Sequence, residues 1–92
     1  MHYSLRRIVL GEVEVEDEFD EMNVTCQYQL LVRTYSMGVE IYGLGITILQ
    51  TGEYVEFWDI TMISEQIETL AALLMRGQVT PCALRDILED VL

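Results

Sequence analysis

Apolar and polar positions alternate through the first two thirds of the chain and then change period. Leu5, Ile8, Val9 and Leu10 cluster; beyond Gly11, Val13 and Val15 alternate with Glu12, Glu14 and Glu16. A period of two places valines on one strand face and glutamates on the other, so residues 3–16 are predicted as a strand, with Gly11 at a bulge or break. The polar stretch from Asp17 to Asn23 reads as a loop. Over residues 24–35, Val24, Cys26, Tyr28, Leu30 and Val32 alternate with Thr25, Gln27, Gln29, Leu31 and Arg33. This is the most regular strand pattern present, and the first set is expected in the core. Ser36-Met37-Gly38 predicts a turn. Val39 to Leu49 predicts a third strand, in which Gly43 and Gly45 flank Leu44 and favour a bend or bulge. A hairpin turn at Gln50-Thr51-Gly52-Glu53 leads to a fourth strand, Tyr54 to Ile60.

From Thr61 the spacing becomes helical. Thr61 or Ser64 can cap a first helix whose expected buried stripe is Ile63, Ile67, Leu70, Ala71 and Leu74. Glu65 and Glu68 fall early and Arg76 late, as the helix dipole favours, and Gly77 suits the C-cap. Thr80 can cap a second helix that begins at Pro81, where a missing N–H costs nothing. Leu84, Ile87, Leu88 and Val91 form its apolar stripe, with Arg85, Asp86, Glu89 and Asp90 opposite. Strands followed by helices predict an α+β fold: an antiparallel four-stranded β-meander, then two C-terminal helices packed on one face. The 92 residues read as a single domain, 1–60 the meander and 61–92 the helical hairpin.

Composition narrows the partners. Sixteen acids face five arginines and no lysine, for a net charge of −11. Phosphate-mediated nucleic-acid binding needs clustered cations, and docking on anionic membranes does too; neither is expected here. No apolar run approaches a membrane span. The short patch after Arg6 and Arg7 is too brief for a signal-peptide core and is followed by acids, so the chain is read as cytoplasmic. Cys26 and Cys82 are accordingly read as reduced thiols.

The C-terminal pattern, Thr80-Pro81 followed by Leu84-Arg85-Asp86 and Glu89-Asp90-Val91-Leu92, resembles the end of a small family of uncharacterised proteins of Gram-positive anaerobes, classed as a domain of unknown function. That family ends in a Val-Ser-Pro, Leu-Arg-Asp, Glu-Asp-Phe-Leu type of pattern, and Tyr42-Gly43-Leu44 is similar to its upstream Tyr-Gly-Ile strand. The resemblance spans residues 42–92, with Val91 where the family prefers Phe. It implies no activity, cofactor or site residue.

Candidate chemistry is sparse. Cys82, at the second position of a helix, is a candidate reactive thiol, against the alternative of a small apolar residue tucked under the turn. Asp86, Glu89 and Asp90 share a helix face, and seven acids fall within residues 12–21, but neither group has calcium-loop spacing, and solvated acids account for both. His2 is the only histidine, and there is no nucleophile elbow or phosphate loop; Gly43-Leu44-Gly45 lacks the third glycine of a nucleotide fingerprint. No enzyme, metal or cofactor is therefore expected.

A two-layer domain leaves one sheet face open. Leu31, Tyr35, Tyr42, Tyr54 and Trp58 are candidate interface residues on that face, against the alternative that Trp58 is core with the tyrosines at its rim. The leading expectation is a non-catalytic protein-interaction module that homodimerises, or that takes a protein partner, through its sheet face or an open edge. The alternative is a small-molecule or metal-binding regulatory domain with a pocket between sheet and helices. A third reading is an acidic mimic of nucleic acid that captures a basic protein.

Overall fold

In the computed structural model, residues 2–17 and 22–91 are described, with Asp17, Met22 and Val91 as backbone only. The four alternating stretches become β1 (Tyr3–Asp17), β2 (Met22–Tyr35), β3 (Glu40–Ile48) and β4 (Tyr54–Thr61). They form one antiparallel sheet in the order β1-β2-β3-β4. The helical stretches become α1 (Ser64–Arg76) and α2 (Pro81–Val91). The fold is therefore the α+β meander with two C-terminal helices that the periodicity predicts. The middle of the acidic loop, residues 18–21, and the Val91 side chain lie outside the described residues.

Both glycine signals mark breaks in register. In β1 the register with β2 shifts between Val9 and Gly11, leaving Leu10 as an extra residue. Before this bulge the odd positions face away from the helices; after it the even ones do, so Val13 and Val15 face the core and Glu12 and Glu14 face water. In β4 the register with β3 shifts between Tyr42 and Leu44, so that Trp58, Asp59 and Ile60 together span the place of Gly43. Asp59 takes the bend with φ 58°, a left-handed conformation that aspartate tolerates. Gly43 is fixed by that close approach: a Cβ there would stand 2.1 Å from the Phe57 carbonyl oxygen and 2.8 Å from Trp58 Cα.

The core lies between the sheet and the helices. Cys26, Tyr28, Leu44 and Ile46 from the sheet meet Ile67, Leu70 and Leu74 from α1 and Leu84 and Leu88 from α2. The helices lie over β2, β3 and β4. Over β1 the notable approach is at Gly11, where an added Cβ would meet Met75 Cε at 3.0 Å. Ile8, although registered beside Leu30 on the helix side, is consequently exposed.

Three helix-end details differ from expectation. Ile63 is exposed and does not join the α1 stripe, because it holds the extended N-cap position ahead of the first turn. No side chain caps α1 from that position; Thr61 instead braces the approach, its hydroxyl accepting from the Ile63 N–H at 3.1 Å and donating to Gln66 Oε1 at 2.6 Å. Gly77 ends α1 in a right-handed conformation (φ −82°), and the left-handed residue is Gln78 (φ 51°). The Gln78 N–H donates to the Met75 carbonyl and the Val79 N–H to the Leu74 carbonyl, a Schellman closure in which buried Val79 packs beneath the turn. Tyr28, itself buried, donates its hydroxyl to the Val79 carbonyl at 2.8 Å and ties that turn to the sheet.

Candidate protein-interaction surface

The outer sheet face is organised by what β3 lacks. Gly43 registers beside Leu31, and Gly45 beside Gln29 on one side and Glu56 on the other. Two missing side chains leave a shallow path across the sheet, and Arg7 of β1 uses it. One guanidinium nitrogen donates to Gln29 Oε1 at 2.6 Å; the other reaches Glu56 Oε2 on the opposite edge strand at 2.7 Å. Gln29, only 4% exposed, spends its amide nitrogen on Thr47 Oγ1 (2.9 Å) and Gln27 Oε1 (3.0 Å), so both ends of this buried amide are satisfied. The Arg7 hydrogen bond, with a smaller contribution from Trp58, lowers the pKa of the Glu56 carboxyl.

A second arginine organises the end of the same face. The Arg33 guanidinium lies 4.7 Å from the centre of the Tyr3 ring and 5.8 Å from that of Trp58. Its Nε stands 3.0 Å from Asp59 Oδ1, a charge contact without the alignment of a hydrogen bond. Tyr3 meets Tyr35 edge to face at 6.0 Å between ring centres. Arg6, on the helix side, pairs with Glu40 at 2.6 Å. All three ion pairs among the described residues thus use arginines of β1 and β2.

The candidate interface residues separate. Leu31 and Tyr35 lie on the outer face, but Leu31 is 0% exposed and Tyr35 half-buried. Tyr54 is 64% exposed, and Trp58 is half-buried beside Arg33. Tyr42 lies on the helix side: Leu31 registers with Gly43, so its neighbour in β3 must point the other way. Its hydroxyl donates to Glu40 Oε1 at 3.2 Å, and burial together with the Glu40 charge pushes its pKa up.

Sequence reasoning missed the exposed apolar side chains of β1. Tyr3, Leu5 and Val9 on the outer face are more than half exposed, and Ile8 and Leu10 are also exposed. The signal was present in the crowding of Leu5, Ile8, Val9 and Leu10 ahead of Gly11, which no single strand face can accommodate.

Cys82 is exposed at the first turn of α2, whereas Cys26 is buried, its thiol pKa pushed up by desolvation. Cys82 borders an open groove of about 690 Å³ between the inter-helix turn and the ends of β1–β3. The groove is lined by Val15, Val24, Ile48 and Ile87, with Glu16 and Glu53 at its polar side. Asp86, Glu89 and Asp90 face solvent on α2, and among the described residues no three potential metal ligands converge.

A four-stranded antiparallel meander backed by two helices defines a small two-layer α+β protein with one sheet face bare. Residues 6–92 match the model of a family of unknown function, DUF6514, and the chain belongs to that family. The match extends well upstream of the Tyr42 boundary suggested by the C-terminal pattern. No curated protein and no solved structure matches the chain. Among the described residues, no helix is long and apolar enough to cross a membrane.

Proposed function

We propose that this protein is a non-catalytic protein-interaction module that homodimerises through the β1 side of its sheet. The observation that carries this reading is the exposure of Tyr3, Leu5, Ile8, Val9 and Leu10 along a single edge strand. Edge strands offer unpaired backbone groups, and their apolar exposure is ordinarily suppressed by charge, proline or a covering element. Here the helices lie over the other three strands, and the half of β1 ahead of its bulge is left exposed. The arginines that could form a basic docking patch are instead bound to carboxylates, which favours a partner met through apolar and backbone groups.

The test is solution mass by light scattering over a range of protein concentrations. The reading expects a defined species of twice the 10.6 kDa chain, populated more at higher concentration. A monomer throughout would remove it. The groove beside Cys82 supports a second reading, a regulatory domain for a small apolar ligand. Its apolar floor and volume of about 690 Å³ fall in the range of small-molecule sites. Binding there would raise the melting temperature in proportion to the logarithm of ligand concentration.

A further inference from the structure

The way two copies meet can be read from β1, given the self-association proposed above. We infer that β1 pairs with β1 of a second copy, antiparallel across a two-fold axis between Val9 and Leu10, joining two four-stranded sheets into one of eight strands.

Charge supports this register. The first half of β1 carries Arg6 and Arg7, and the second half carries Glu12, Glu14 and Glu16. Antiparallel pairing about the strand centre brings the cationic half of each copy against the anionic half of the other. Arg6 and Arg7 already hold Glu40 and Glu56, yet their side chains remain 55% and 44% exposed. None of the ion pairs among the described residues uses Glu12, Glu14 or Glu16. In a second copy Arg7 supplies the cation that Glu12 lacks.

The bulge supports it independently. Directly opposed residues of an antiparallel pair point to the same side of the sheet. The extra residue at Leu10 puts odd positions outward before it and even positions outward after it. Pairing about the Val9/Leu10 centre therefore sets Arg7 opposite Glu12, Leu5 opposite Glu14 and Tyr3 opposite Glu16, outer side against outer side. On the helix side Arg6 falls opposite Val13, and exposed Ile8 falls opposite Gly11, a large side chain beside a vacant position. In a strand without the bulge, the same pairings would set outward residues against inward ones. The bulge thus brings the two halves of β1 into phase for self-pairing.

Two measurements test this. Hydrogen exchange at the β1 amides, followed from low to high protein concentration, is expected to slow as dimer forms. The Glu12→Arg variant sets Arg opposite Arg7 twice in each dimer and is expected to weaken association by about tenfold or more, as two reversed cross-strand pairs allow. Glu12 is exposed and bonded only to Gln27, so the fold tolerates this change. A dimer whose β1 amides exchange independently of concentration would overturn the edge pairing while leaving self-association standing, through the outer face instead. Protected amides with an unweakened Glu12→Arg dimer would overturn the register. A monomer at all concentrations would overturn this inference together with the reading it rests on.

Discussion

At the scale of single residues, Tyr28 is the most consequential side chain of the core. Its phenol is buried and hydrogen-bonded as the neutral form, and desolvation, with a smaller contribution from Cys26, pushes its pKa from 10.0 to about 12. Folding therefore favours the protonated phenol. That stabilisation is complete below pH 10 and is lost as the pH rises from 10 to about 12. The chain has no lysine to titrate in the same window. Urea unfolding across this window should show a falling midpoint in the wild type and a shallower fall in Tyr28→Phe. The residual slope belongs to Cys26 and Tyr42, whose pKa values also rise in the fold. At neutral pH, Tyr28→Phe should cost about 1–2 kcal/mol, because the Val79 carbonyl loses its buried donor. Gln78 gives a change of opposite sign. It holds φ 51°, where a Cβ is unwelcome, so Gln78→Gly should stabilise the protein by about 0.5–1 kcal/mol, read as a higher urea midpoint.

At the scale of elements, the two β3 glycines separate a steric requirement from a merely convenient one. Gly43→Ala drives a methyl into the backbone of β4 and should cost about 3 kcal/mol, by displacing the strand. Gly45→Ala meets the end of the Gln29 side chain at 3.1 Å, which can yield, and should cost clearly less. Paired denaturation curves decide between these expectations. The elements themselves were legible in sequence because periodicity reports burial directly: alternation from Val24 to Arg33 and the Leu84/Leu88 stripe both mark the face they bury. Ile63 was misread because spacing alone does not reveal where helical dihedrals begin. Tyr42 was misread because its facing depends on cross-strand register with Leu31, a non-local property. The arginine path across Gly45 was hidden for the same reason, since Arg7 and Glu56 lie at opposite edges of the sheet.

At the scale of the molecule, the helices screen one face of three strands and leave the first strand bare on both sides only ahead of its bulge, while Val13 and Val15 beyond it reach the core. If two copies share that strand, folding stability and association become one equilibrium. The melting temperature should then rise with protein concentration and fall as salt screens the Arg7–Glu12 contacts. A scan at several concentrations and two ionic strengths checks both slopes; flat responses would mean that the chain is stable as a monomer.

The order of the elements also bears on synthesis. Tyr28, Leu44 and Ile46 need Ile67 and Leu74, and then Leu84 and Leu88, to exclude water from the inner face. These partners are translated after the whole sheet. A nascent chain therefore emerges as an amphipathic meander with its apolar side unroofed, the condition in which partly made proteins aggregate. The acids concentrated between Glu12 and Glu21 emerge before most of that apolar surface, so mutual repulsion between neighbouring nascent chains is in place before the sheet can attract them.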